Sequence, residues 1–317
     1  MLPGLTRIPT KDMSREDWLE HRRKSLGGSD AAGVIGLSQW TSPYSLWAEK
    51  TGRVPPKEDT EAMRQGRDLE DYVAQRWEEA TGGRVRRLPA ILYNPQYPFA
   101  HANIDRLVLG DDAGLECKTT NTLNVKQFHG IDFPEQYYAQ CVHYLAVTGA
   151  KRWHLAVLVF GRGFFTFTLE RDEAEIVALM EAEAAFWQMV KEDTPPPTDG
   201  SDASTNALQT LFAESNGSTM ALFGRDTALI EYMSLKAQRD ELDNRIAEIE
   251  NAIKCDMGAA EKATCGTFNV SWKSQTRQTF QAKAFASDHP DIDLAPYYKT
   301  TSLRPFKVTE KALKEAV

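Results

Sequence analysis

The stretch Ala102-Asn-Ile-Asp-Arg-Leu-Val-Leu-Gly-Asp-Asp-Ala-Gly-Leu-Glu-Cys-Lys118 constrains this chain more than any other. It reads as two strands folded back on each other. Ile104, Leu107 and Leu109 are apolar around Asp105, and residues 110–114 carry turn chemistry. The second strand holds Leu115, Glu116, Cys117 and Lys118. On a strand, residues two apart share a face, so Glu116 and Lys118 project together while Leu115 and Cys117 point the other way. Pairing across the turn brings Asp105 beside Glu116. Two carboxylates and a lysine then converge.

That convergence suits metal-assisted hydrolysis of a phosphodiester. Paired carboxylates with open positions hold a hard divalent ion such as Mg²⁺. Such an ion polarises a phosphoryl oxygen and acidifies a bound water. A lysine beside it can orient that water, and can act as a base only where burial or nearby cations lower its pKa. The same letters also suit a plain surface hairpin with one Asp and an exposed Glu/Lys pair, so the rest of the chain has to decide.

At 317 residues the chain is long enough for one sizeable core and an appended unit. No run of about 18 apolar residues occurs, so no membrane span is expected. The first residues lack a long apolar stretch and are not expected to form a secretory signal. Cys117, Cys141, Cys255 and Cys265 are scattered, which suggests neither an iron–sulfur cluster nor a disulfide framework and points to a reducing cytoplasm. The net charge of −8 does not decide for or against DNA. Distribution matters more: basic clusters fall at His21–Lys24 and Arg84–Arg87, while acidic residues gather over 170–215.

Upstream, Ser14-Arg-Glu-Asp17 resembles a capping box opening a helix, with Trp18, Leu19 and Leu26 apolar. Ser29 in Gly27-Gly-Ser-Asp30 is read as the N-cap of a short helix, whose free N–H groups favour a phosphate. Arg22 lies seven residues before it. A second short helix covers 42–52 and stops at Gly52 and Pro55-Pro56, with Tyr44 and Trp47 assigned to the core. A long helix runs from Thr60 to Thr81 and contains Gly66 and Glu70. A mid-helix glycine costs about 1 kcal/mol and usually permits a close approach. Val85–Tyr93 and Phe99–Leu109 read as strands, Thr119–Pro134 as a polar loop, and Phe133–Val147 as a helix with Gln136 and Gln140 on one face. Two strands, Trp153–Phe160 and Gly163–Leu169, and a helix over 172–191 close the unit. The predicted fold is α/β, a mixed central sheet flanked by helices, with a C-terminal helical and small β appendage.

Residues 193–204 are polar and rich in Pro and Ser, and are read as a linker between a core (1–192) and an appendage (205–317). Leu235, Leu242 and Ile249 recur at sevens in a helix over 226–257, as do Ile246 and Ile253. This fits a coiled-coil seam or a helix packed on the core. From Lys262 onward nine Lys/Arg face five Asp/Glu. Trp272, Lys273, Arg277, Lys283 and Arg304 there suit DNA or protein contact, or simply a small folded appendage.

Asp105, Glu116 and Lys118 resemble the PD-(D/E)xK nuclease signature. Adding the Arg22-to-Ser29 spacing, the phrase from Ser42-Pro-Tyr44 through Leu46-Trp47 to Lys50-Thr-Gly52, Gly66-x-x-x-Glu70 and Tyr137-x-x-Gln140-x-x-x-Tyr144, residues about 15–190 resemble the YqaJ-type viral recombinases, the branch that includes phage lambda exonuclease. One departure is that no proline precedes Asp105, a position that varies across the superfamily. The resemblance implies a restriction-endonuclease-like core and a Mg²⁺-dependent 5′-to-3′ exonuclease (Mn²⁺ being a possible substitute) that leaves 3′ overhangs on double-stranded DNA ends. It implies that Asp105, Glu116 and the Cys117 carbonyl bind metal, that Glu70 supports a second ion, that Lys118 aligns or activates water, and that Arg22, Ser29 and Gln140 hold the 5′-phosphate. It also implies a ring-shaped homotrimer, a single-strand annealing recombinase as partner, and a phage or prophage origin in a bacterial cytoplasm. A structure- or site-specific endonuclease would share the metal site without the phosphate pocket. A non-catalytic recombination adaptor would have no use for the carboxylates.

Overall fold

The computed structural model describes residues 4–55, 59–122, 128, 133–299 and 304–309. Two compact units divide the chain, Met1–Phe212 and Ala213–Val317.

The first unit runs β1 (Thr6–Pro9), α1 (Arg15–Arg23), β2 (Leu26–Gly27), α2 (Gly28–Val34), α3 (Pro43–Lys50), α4 (Glu61–Thr81), β3 (Val85–Arg86), β4 (Ala90–Tyr93), β5 (Ala100–Asn103), β6 (Arg106–Val108), β7 (Ala113–Thr120), α5 (Glu135–Thr148), β8 (Arg152–Val159), β9 (Gly163–Glu170), α6 (Glu173–Lys191) and α7 (Asp202–Leu211). Helix starts follow the caps the sequence offers. Ser14 accepts from Asp17 N–H at 3.1 Å, Thr60 from Met63 N–H at 3.2 Å, and Ser42 and Ser45 cap α3 reciprocally. Ser29 is not a cap: α2 begins at Gly28, and the Gly27 N–H is taken by the Asp30 carboxylate at 3.0 Å. Of the expected stop at Pro55-Pro56, Pro56 lies outside the described residues, as do most of the expected 119–134 loop and the Gln136 side chain.

A five-stranded sheet has the order β3-β6-β7-β8-β9 and a four-stranded sheet the order β1-β4-β5-β2. The larger one is mixed. β7 and β8 pair in parallel over all eight residues, joined through α5, while the other pairs are antiparallel. Two stretches expected as single strands are each split between the sheets. Val85–Tyr93 breaks at Pro89, which has no N–H to continue a ladder. The 99–109 stretch breaks at Ile104-Asp105, where the Asp105 side chain takes over pairing by accepting the Cys117 N–H at 2.7 Å. Asp105 therefore sits where the chain leaves one sheet for the other.

Alternation along β7 sorts its residues as expected. Leu115 and Cys117 pack with Val73, Ala74 and Trp77 of α4 and with Ala156 of β8. α5 covers the opposite side through Ala139, Val142, Tyr144 and Leu145. Tyr44 and Trp47 are buried, as read from sequence. The segment read as a linker belongs to the first unit. Asp193 pairs with Arg53 at 2.6 Å, and Ser204 is buried and donates to Ser42 at 2.8 Å. Its polar residues serve as caps and pairs for α7 beside α3.

The second unit holds α8 (Asp226–Met257), the hairpin β10 (Lys262–Cys265) and β11 (Phe268–Ser271), α9 (Ala282–Asp288) and a 3-10 turn at Ala295–Tyr297. Leu235, Leu242, Ile246, Ile249 and Ile253 of α8 remain exposed. Among the described residues no helix is long and apolar enough to cross a membrane.

Two predictions follow from the packing. A Cβ on Gly114 would lie 2.2 Å from the Trp153 ring, which is wholly buried and cannot retreat. Gly114→Ala is expected to lower unfolding free energy by about 1–3 kcal/mol, read as an earlier urea midpoint. An unshifted midpoint would mean that β7 and β8 are less tightly apposed. His101 is buried, with Nδ1 2.8 Å from Ser25 Oγ, and burial pushes its pKa down from 6.5 to about 3. Between those pH values the unfolded ring binds a proton that the folded ring refuses. Its contribution is therefore complete above pH 6.5 and falls with decreasing pH at up to about 1.4 kcal/mol per unit. Denaturant titrations from pH 7 to 4.5 should show a slope shallower by about one proton in His101→Asn, whereas parallel curves would contradict a neutral His101.

Candidate active site

The geometry centres on the hydrogen bond that pins Asp105 to β7. With Oδ2 fixed by the Cys117 N–H, the Asp105 carboxyl lies next to Glu116. Burial, then the neighbouring Glu116 and Glu70 carboxylates, push the Asp105 pKa well above the usual range. Glu116 is buried. Its Oε1 accepts from Lys118 Nζ at 2.6 Å and from Gln140 Nε2 at 2.6 Å. Its Oε2 is buried with no partner among the described residues. Lys118 is three-quarters covered and lies 5.7 Å from the Tyr137 ring centroid. Burial alone would lower its pKa, but the Glu116 and Asp105 carboxylates outweigh it and hold the ammonium charged.

Two helices supply the flanks. From α5, Gln140 Nε2 donates both to Glu116 Oε1 and to Tyr144 Oη, the latter at 2.9 Å, so its amide nitrogen is fixed by two acceptors. From α4, Glu70 approaches on the other side of β7. A Cβ on Gly66 would lie 3.7 Å from Thr119 Oγ1, an ordinary contact, so the close approach expected of a mid-helix glycine is not required at this position. Glu70 is paired with Arg106, which also donates to the Asp105 carbonyl at 2.7 Å and to Asp71 at 2.6 Å. Arg106 was not singled out from sequence, although it adjoins Asp105. Its nearly full burial needs several partners, and the two acidic residues of Glu70-Asp71 meet that need.

A second cluster forms where α1 meets α2. Arg22 Nη2 donates to Ser29 Oγ at 3.0 Å and to Asp30 Oδ1 at 3.1 Å, and the guanidinium lies 5.1 Å from the Trp18 ring centroid. The spacing seen in the sequence thus becomes a contact. Behind it, Asp30 pairs with Lys50 at 2.7 Å. Burial would raise the Asp30 pKa, but Lys50 and then Arg22 hold it far below the carboxylate range. Neither Asp30 nor Lys50 emerged from sequence reasoning. The signal for Asp30 was its place three residues after Gly27, the N3 carboxylate of a capping pattern.

The two clusters adjoin. A Cβ on Gly28 would fall 2.6 Å from the Tyr144 ring and 3.2 Å from Gln140 Cγ. The first turn of α2 therefore rests on the helix face that carries Gln140. Asp105, Glu116, Lys118 and Gln140 form one cluster, Glu70 borders it through Arg106, and Arg22 with Ser29 forms the neighbouring one. The Cys117 N–H is committed to Asp105, which puts the Cys117 backbone between the two carboxylates.

A hard divalent cation fits this donor set. Glu116 Oε2 is an orphaned buried acceptor, and the crowding of carboxylates that raises Asp105 is what a cation relieves. Among the described residues no group of three or more His, Cys, Asp or Glu side chains is arranged as a metal cluster, and Glu70 is engaged by Arg106. The fit rests on two carboxylates and the intervening backbone.

Residues 17–151 match the model of the YqaJ-like viral recombinase domain. The protein YqaJ of Bacillus subtilis (strain 168) is 38% identical over 305 residues, covering 94% of this chain and 95% of that one. Among solved structures, LHK-Exo in complex with dAMP aligns at 22% identity with a TM-score of 0.50, over 56% of this chain and 94% of that one. The alkaline exonuclease LHK-Exo from Laribacter hongkongensis aligns over the same shares at 22% identity and a TM-score of 0.48. The fold is the mixed-sheet PD-(D/E)xK type expected from the hairpin, and the chain belongs to the YqaJ-like viral recombinase family.

Proposed function

We propose that this chain is a Mg²⁺-dependent exonuclease that degrades the 5′-ended strand of duplex DNA and leaves a 3′ overhang for strand-annealing recombination. One observation carries the reading. A carboxylate–lysine cluster suited to phosphodiester hydrolysis adjoins a basic pocket suited to a terminal phosphate, and Gly28 packed against Gln140 joins them. Asp105, Glu116 and the Cys117 carbonyl are the residues that would hold Mg²⁺ or Mn²⁺, with Glu70 supporting a second ion. A bound Mg²⁺ would acidify its water and offset charge on the scissile phosphate. Lys118, 2.6 Å from Glu116 Oε1, is placed to align or activate that water or to donate to the phosphoryl oxygens. Gln140 holds Glu116 in place and borders the path to Arg22 and Ser29.

The expected substrates are duplex ends, and the expected partner is a single-strand annealing recombinase that coats the product. A closed homotrimeric ring around the duplex would give processivity through backbone contacts that carry no sequence information. The setting is the cytoplasm of a bacterial host, with a phage or prophage source.

Linear duplex labelled at the 5′ or the 3′ end, with Mg²⁺ or EDTA, tests the reading. Metal-dependent release of mononucleotides from the 5′ end is expected, and Lys118→Ala should lower its rate on the order of 100-fold or more. Arg22→Ala should lose rate selectively on 5′-phosphorylated ends, by about 10-fold or more, the cost of a charge-assisted contact. Internal cuts in closed circles would point instead to an endonuclease. No metal-dependent cleavage of any DNA would favour an adaptor.

A further inference from the structure

Asp30 and Lys50 form a buried ion pair of the first unit that hydrolysis does not use. Lys50 exposes 1% of its side chain and Asp30 6%. All three Lys50 protons are committed, to Asp30 Oδ2 at 2.7 Å, the Arg22 carbonyl at 2.6 Å and the Ser25 carbonyl at 2.9 Å. Lys50 has therefore no donor left for a ligand. Asp30 is equally committed: Oδ2 takes Lys50 and the Gly27 N–H, and Oδ1 takes Arg22 Nη2.

These bonds converge on one group. Lys50 ties the backbone at both ends of the turn from Arg22 to Ser25, and Asp30 holds the Arg22 head itself. Nη2 of Arg22 is spent on Ser29 and Asp30, while among the described residues Nε and Nη1 have no hydrogen-bond partner. The Arg22 side chain is 27% exposed and its guanidinium is backed by Trp18. A flexible arginine is thereby fixed with one edge turned inward and the other free. The charges of Arg22, Lys50 and Asp30 sum to +1, which suits an anion.

We propose that Asp30 and Lys50 are positioning residues that orient Arg22 for a 5′-phosphomonoester and so let the site discriminate phosphorylated from hydroxyl ends. This rests on the reading of Arg22 and Ser29 as the terminal-phosphate pocket. Neither residue touches the phosphate. They act by removing the rotamer freedom that Arg22 would otherwise lose on binding. A purely electrostatic role gives the opposite sign. Removing the Asp30 charge raises the local sum to +2, which would tighten phosphate binding if charge alone decided.

The test is equilibrium binding in EDTA of duplexes labelled at the 3′ end and carrying either a 5′-phosphate or a 5′-hydroxyl. The readout is the ratio of the two Kd values, with thermal unfolding followed in parallel. Wild type should prefer the phosphate, and Arg22→Ala should abolish the preference. Asp30→Asn should reduce it at least about fivefold despite the added positive charge, since an orienting bond is lost. Should Asp30→Asn fail to fold, Asp30→Asn with Lys50→Met leaves no uncompensated buried charge and should show the same loss. If wild type discriminates and Arg22→Ala does not, but the Asp30 variants keep or increase the preference, the positioning role is overturned and the pocket stands. Equal weakening at both ends, with an earlier melt, would also overturn it, as a structural role only. A wild type indifferent to the phosphate overturns pocket and positioning together.

Discussion

A single hydrogen bond, from the Cys117 N–H to Asp105 Oδ2, joins fold and candidate chemistry. It forms where the chain passes from the four-stranded to the five-stranded sheet, so the side chain completes a ladder that the backbone has left. Because Cys117 stands between Glu116 and Lys118, fixing Asp105 there places it beside both. The helices then need only close on β7 from opposite sides. α4 does so through Val73, Ala74 and Trp77, and α5 through the amide of Gln140.

The electrostatics follow from that closure. Three carboxylates meet in a partly buried space with two cations, Lys118 and Arg106, each bound to a different member. Among the described residues Asp105 is bonded by a backbone N–H alone and is the carboxyl that burial and its neighbours drive up, and Glu116 retains one oxygen without a partner. Buried acidic groups under-supplied with positive charge are poor stabilisers, and such strain is ordinarily retained for function. By contrast Asp30, also buried, is matched by Lys50 and Arg22 and stays ionised.

Much of this was legible in the sequence where a local period or spacing carries it. Alternation along 115–118 told which face each β7 residue takes, and the family resemblance singled out Arg22 and Ser29, which the fold brings into contact. The rest depended on partners distant in sequence. Ser29 looked like a cap because Ser commonly caps, yet Asp30 three residues after Gly27 took that N–H and left the Ser29 hydroxyl to Arg22. Lys50 was read only as part of the phrase that ends at Gly52, and nothing nearby announced two carbonyls from another helix end. The split of 99–109 between sheets was hidden because both halves are equally strand-like. Residues 193–204 had a linker's composition, and only Ser42 and Arg53 reveal that its polar groups have fixed partners.

The way Asp105 is held bears on how this motif can drift. The two carboxylates are brought together by strand register across β6 and β7, not by the number of residues in the turn between them. Residues around Gly110, at the tip, could be inserted or deleted while the pairing of Arg106 with Leu115 is kept, and the juxtaposition would survive. A single insertion between Asp105 and Arg106 would instead turn the side chain to the wrong face. Related chains can therefore differ widely in the interval between their first and second acidic residues and still build the same centre, so a search on fixed spacing would overlook them.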